Sequence, residues 1–270
     1  MKTITFDTDK YLLPGDWNDL SVEQLFFLIS LTKKNIPIQE LKVKMLLFCL
    51  GAYVAPERKN RNTDAQIICI GKKKYPVTFE QMTFLSDLFN FLLSNTDEKG
   101  NCSIEPKLTR NPFPKTQCGC ITVVGPDDGL TNITYEQFIQ LQTLQSLIGK
   151  TPNLTINDFI AIIYKRNTFS TAIEGEPLLI KKMSDTVKTV IFWYYLGCLK
   201  FISEKFPRVF SGSSGSISGS VFENQQKIID SLADGDVTKK PEVRASLLYD
   251  ALFTLELAVE KQENLKSQSK

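Results

Sequence analysis

Residues 185–206 read DTVKTVIFWYYLGCLKFISEKF, and this stretch decides the fold class. Apolar side chains fall on nearly every side of a 3.6-residue period, which predicts a long helix placed centrally in a core. Pro207 follows it, where a helix is interrupted. Lys188 and Lys200 break the apolar run from Val187 to Ile202, so the run stays short of the roughly 18 residues of a membrane-span candidate. Its centre is Ile191-Phe192-Trp193-Tyr194-Tyr195. Two readings stand for that cluster. It is the middle of a core, or it is an interface, where Trp and Tyr are enriched. Trp193, Tyr194 and Tyr195 are therefore the candidate interface residues. Phe26, Phe27, Phe84, Phe89 and Phe91 read as core.

Working outward, three segments share one wording: Ser21-Val-Glu-Gln24, Thr78-Phe-Glu-Gln81 and Thr134-Tyr-Glu-Gln137. Thr155-Ile-Asn-Asp158 is a looser fourth. A hydroxyl followed three residues later by Gln or Glu is a capping box, and the acidic residue between them meets the positive end of the helix dipole. Helices are predicted over about 22–33, 79–94, 135–148 and 156–165. The repetition reads either as four helices meeting the same capping preference or as an internal duplication. Further helices are predicted at 38–51, closed by Gly51, at 221–233, closed by Asp234-Gly235-Asp236, and from Pro241 to about 264.

Strand signals are fewer. Thr3–Phe6 alternates, residues 66–70 and 75–77 flank a Gly71–Lys74 turn as a β-hairpin, and Ile121–Val124 is a short strand. Residues 52–64 and 95–120 read as loops. Ser211–Ser220 is a Ser/Gly loop that cannot pack a core. The expectation is a mainly α, multi-helix bundle-like fold with a small β-hairpin and short strands. It is organised as an N-terminal helical region 1–165, with the hairpin near 66–77, and a C-terminal helical region 166–270 containing the loop 211–220. One continuous domain is equally compatible.

Composition excludes more than it assigns. The apolar fraction is 42% and the charged fraction 23%, ordinary for a globular protein. A net charge of +2 argues against an electrostatically driven nucleic-acid binder. Arg58, Lys59, Arg61 and Lys72–Lys74 read as solvated loop and turn, with a phosphate site as the sharper alternative. The opening MKTITFDTDKY has no apolar signal region, which implies a cytoplasmic protein. There is no histidine, so Ser–His and Cys–His nucleophile pairs are impossible, although lysine or carboxylate bases are not. No phosphate-binding glycine loop occurs. Asp127-Asp128-Gly129 and Asp234-Gly235-Asp236 are too short for a calcium loop and read as turns. Of six cysteines only Cys118 and Cys120 are close. With Cys102 they give three thiols and no second pair, a poor zinc pattern. The sequence thus offers no catalytic, cofactor-binding or metal residues, and an enzyme would need an unfamiliar site.

Several segments are familiar as text. The opening Leu13-Pro-x-x-Trp17-x-x-Leu20-Ser21-x-x-Gln24 looks like the start of many small proteins encoded in tailed-phage and prophage structural regions. Leu108-Thr-Arg-Asn-Pro112, then Gly125-Pro-x-Asp-Gly-Leu130-Thr-Asn-Ile-Thr134, resembles an uncharacterised family from prophage-like regions of gut anaerobes. So do Phe206-Pro-x-Val-Phe210, residues 231–238 and Tyr249-Asp-Ala-Leu252. The resemblance spans most of the chain and carries no catalytic or binding residues. It implies a non-enzymatic phage tail-morphogenesis protein. One role is a tail assembly chaperone that binds tape-measure helices in a groove. The alternative is a structural component of a tail or contractile particle. The implied partners are other phage structural proteins, with no membrane and no cofactor, and an oligomer is compatible. The implied location is the bacterial host cytoplasm or the virion.

Overall fold

The computed structural model describes residues 1–56, 65–95, 102–152, 154–211 and 221–268. They form two compact units, Met1–Lys107 and Leu108–Lys270. The division falls within the long Pro-containing connection, rather than after residue 165.

In the first unit, β1 (Lys2–Phe6) and β2 (Asp9–Leu13) pair antiparallel, with Phe6 opposite Asp9. Asp7 makes the turn with φ of 51°, a conformation a short polar side chain tolerates. The first capping box is closed both ways. Gln24 N–H donates to Ser21 Oγ at 3.3 Å and Ser21 N–H donates to Gln24 Oε1 at 2.9 Å, opening α1 (Val22–Thr32). Next come α2 (Ile38–Leu50), ended by left-handed Gly51, and a sheet of β3 (Ala52–Val54), β4 (Ala65–Ile70) and β5 (Lys73–Thr78) in that order. The Thr78–Gln81 box starts α3 (Phe79–Ser86), which tightens into a 3₁₀ turn over Asp87–Leu92. Leu13, Trp17, Leu25, Leu28, Met45 and Phe89 are fully buried. Each such side chain contributes about 1.5–3 kcal/mol over its exposed state. Trp17 Nε1 donates to Phe91 O at 3.0 Å. Buried Lys42 crosses to Asp87 Oδ1 at 2.5 Å and Asn90 Oδ1 at 3.0 Å, so its charge is paired and hydrogen-bonded.

The second unit holds an antiparallel sheet of β6 (Lys115–Cys118), β7 (Ile121–Val124) and β8 (Lys165–Arg166). Its helices are α4 (Tyr135–Leu147), α5 (Ile156–Ile163), α6 (Pro177–Ile180), α7 (Asp185–Lys205), α8 (Pro207–Ser211), α9 (Val221–Leu232), α10 (Lys240–Ala245) and α11 (Leu248–Gln268). The α7 helix is the expected central element: Val190, Ile191, Tyr194, Tyr195, Cys198 and Ile202 are all fully buried.

The mainly α expectation is corrected. Among the described residues the structure is 53% helix and 17% strand with three small sheets, a mixed α/β fold rather than a bundle with one hairpin. The missed strands are two to five residues long, too short to show a period of two. β3 and β6 lie in segments that sequence reading leaves as loops and β8 at the expected end of a helix, and they become strands by pairing with their neighbours: β3 on β4, β6 on β7, and β8 on β7. The expected terminal helix is likewise split. Tyr135 N–H donates to Ser246 O at 2.9 Å and Leu248 N–H donates to Ile133 O at 3.0 Å, so a bridge between Thr134 and Leu247 pulls the chain out of helix between α10 and α11. Among the described residues no helix is long and apolar enough to cross a membrane.

Candidate functional site

The aromatic cluster of α7 faces inward. Tyr194 and Tyr195 have no exposed surface, whereas Trp193 is half-buried. The Tyr194 hydroxyl donates to Asp127 O at 2.6 Å and accepts from Leu130 N–H at 3.1 Å. The Tyr195 ring meets Phe159 edge-on at 4.8 Å, and its hydroxyl lies 3.2 Å from Gln145 Oε1. Of the three candidate interface residues, only Trp193 presents side-chain surface to the outside.

Residues 108–113 and 125–134 meet this helix in a buried polar knot. Asn111 Nδ2 donates to Pro126 O at 2.6 Å, and Asn111 Oδ1 accepts from Phe113 N–H at 2.9 Å and from the Tyr164 hydroxyl at 3.1 Å. Gly129 N–H donates to Thr109 O at 2.7 Å, and the Tyr249 hydroxyl donates to Gly129 O at 2.8 Å. Residues 108–113 and 125–134 are thus pinned together by side chains from α7 and α11 and by Tyr164, just past α5. A Cβ on Gly125 would stand 2.4 Å from the Tyr164 ring, so this position admits no side chain. The chemistry of the knot is inert. Burial pushes the Cys198 thiol up to about 12 and raises the Tyr164, Tyr194 and Tyr195 hydroxyls well above their ordinary value. All four stay protonated at neutral pH, which suits hydrogen-bond donors and not nucleophiles.

Other buried cations are structural in the same sense. Lys165 Nζ donates to Ala161 O at 2.9 Å and Glu174 O at 2.7 Å, tying the 167–176 loop to the C-terminal end of α5. Burial lowers its pKa, against the opposing pull of Glu174 and Glu176. Cys118 is buried at the end of β6 and Cys120 is exposed in the β6–β7 turn, and the described residues bring no three Cys, Asp or Glu side chains together as a metal cluster. Arg58, Lys59 and Arg61, and residues 212–220 of the Ser/Gly loop, lie outside the described residues.

An accessible site lies in the first unit. An open cleft of about 500 Å³ runs beside β1 and β5. Thr5, Phe6 and Asp7 line one wall; Tyr75, Pro76 and Val77 line another. Glu80, Gln81, Phe84 and Leu85, one face of α3, complete it. Phe84 is 77% exposed there, although its sequence context reads as core. Three rings set the wall geometry: Phe6 lies 5.1 Å from Tyr75 and 5.9 Å from Tyr11. A polar tie holds them. Lys73 Nζ donates to Asp9 Oδ1 at 2.6 Å, the Tyr75 hydroxyl donates to Asp9 Oδ2 at 2.5 Å, and the Tyr11 and Tyr75 hydroxyls are 2.9 Å apart. Nothing in the sequence links 5–7, 75–77 and 80–85, so the cleft is a product of the β1–β2 hairpin docking beside β5.

The tie has a pH signature. The Lys73 ammonium, and after it the Tyr75 hydroxyl, hold the Asp9 carboxyl below its ordinary value. A depressed folded value means the tie stabilises the hairpin at pH above the unfolded carboxylate value of about 3.9 and is lost as pH falls through the folded one. Asp9→Asn is expected to lower the thermal midpoint by a few degrees at neutral pH and to change nothing once the carboxylates are protonated. Equal midpoints at neutral pH would show the tie to be idle.

Comparison with protein-family models, with curated proteins and with solved structures finds no match for the chain.

Proposed function

We propose that the chain is a non-enzymatic protein of phage tail morphogenesis that works as a chaperone-like binder, holding apolar helices of a tape-measure protein before the tail tube forms. The observation that carries this reading is the open cleft of the first unit. It is a groove of mixed polar and apolar lining with a large exposed phenylalanine, able to receive side chains from a partner helix. The resemblance of residues 13–24, 108–112 and 125–134 to prophage structural-region proteins supplies the setting, and the place of action is the host cytoplasm during assembly. The inert chemistry of the knot that those segments build in the second unit agrees with a binding role. Co-expression with a phage tape-measure protein tests the reading. The two are expected to co-purify, and the chain is expected to be missing from finished particles. Failure to co-purify, with the chain present in stoichiometric amounts in the particle, would contradict it.

A further inference from the structure

We infer that the cleft of the first unit selects a helical segment whose apolar face is flanked by lysine or arginine. This rests on the binding reading above and deepens it. Charge is the first argument. The charged residues lining the cleft are Asp7 and Glu80, both acidic. Among the described residues neither is in an ion pair, whereas Asp9 close by is held by Lys73. Glu80 also meets the positive end of α3, but Asp7 sits in a hairpin turn where no helix dipole accounts for it. Apolar side chains together with two carboxylates in one cleft complement a basic amphipathic segment and repel an acidic one.

The second argument separates a helix from an extended strand. β5 is an edge strand, so its outer side could in principle accept another strand. Ile70 and Lys73 close a two-residue turn and exchange hydrogen bonds, and bonded pairs then alternate along the ladder. Lys74, Pro76 and Thr78 therefore turn their backbone groups to the free side. Pro76 has no N–H, and the Thr78 N–H is already given to Gln81 Oε1 at 2.9 Å. Two of the three donors that strand addition needs are gone. On the β5 side the cleft therefore disfavours an added strand, and the exposed Phe84 ring is the anchoring contact for side chains presented by a helix.

The test uses the full chain and two labelled amphipathic helical peptides with the same Leu/Ile face, one flanked by lysines and one by glutamates. Each exposed ion pair is worth a few-fold in affinity, so two give a preference for the lysine peptide of about tenfold at low salt, shrinking as salt is added. Glu80→Lys is expected to remove most of that preference, and Phe84→Ser to weaken both peptides. Phe84 is exposed, so its loss leaves the fold intact. Equal affinities for the two peptides, or full affinity in Phe84→Ser, would overturn the inference. Co-purification with the tape-measure protein without any charge preference would keep the binding reading and sink this inference. A charge preference without co-purification would keep the inference and sink the tail reading.

Discussion

Gly197→Ala is expected to destabilise the second unit by about 3 kcal/mol, the upper end of overpacking costs. Gly197 lies in the middle of α7, where helix propensity alone favours alanine by about 1 kcal/mol. Packing says the reverse. A Cβ at Gly197 would stand 2.3 Å from the carbonyl oxygen and 2.4 Å from the nitrogen of Leu108, backbone atoms that cannot rotate away. The helix must retreat or residues 108–109 must leave it, which would also disturb the contact of Cys198 Sγ with Thr109 O. The two effects have opposite signs, so urea unfolding decides between them. The chain has two tryptophans, Trp17 in the first unit and Trp193 in the second. Trp193 emission in a Trp17→Phe background therefore isolates the affected unit. A midpoint that rises would mean that the Leu108 segment does not rest on α7.

Asn111→Ala is expected to cost a similar amount, about 3 kcal/mol, by a different route. The side chain is 5% exposed and makes three hydrogen bonds. Its removal leaves Pro126 O and Phe113 N–H short of a partner, and each buried unsatisfied group costs about 1–3 kcal/mol. The Tyr164 hydroxyl is less exposed to this loss, because its one proton has a second acceptor in Phe113 O at 3.0 Å. Tyr164→Phe is accordingly the milder change, at about 1 kcal/mol. The double variant should be less destabilised than the sum, with coupling of about 0.5–1 kcal/mol, because both single changes break the same bond. Strict additivity in chemical denaturation would remove Tyr164 from the network.

What sequence reveals here depends on the range of the interaction. The helix starts at Ser21, Thr78, Thr134 and Thr155 are legible because a capping box is complete within four residues, and all four boxes are formed. The α7 helix is legible because apolar side chains fall on nearly every side of its helical period. The β8 strand is not legible. Two residues, Lys165 and Arg166, become strand only because Val123 and Val124 arrive beside them from some forty positions earlier. The break between α10 and α11 comes from a bridge to Thr134, with no local stop signal at Ser246-Leu247. Phe84 and Phe89 illustrate the limit for the site. Both sit in the same apolar run and both read as core, yet Phe89 is fully buried and Phe84 is 77% exposed. The difference follows from what α3 packs against: α2 and β5 cover some of its sides, and the side toward Thr5–Asp7 is left open.

The resemblance-bearing residues teach the complementary point. Asn111, Gly125, Leu130 and Tyr249 invite a functional reading as motif text, but they are spent on holding two irregular segments against α7. The open cleft is built by residues 5–7, 75–77 and 80–85, of which Glu80 and Gln81 belong to a capping box and the others to no motif. Hydrogen exchange on the chain alone and mixed with a phage tape-measure protein, the partner proposed above, tests that division of labour most directly. Protection is expected to appear over residues 3–7 and 75–85 and to leave residues 108–130 unchanged, since the knot is already closed. Protection confined to the second unit, with 75–85 exchanging as in the free chain, would contradict the account.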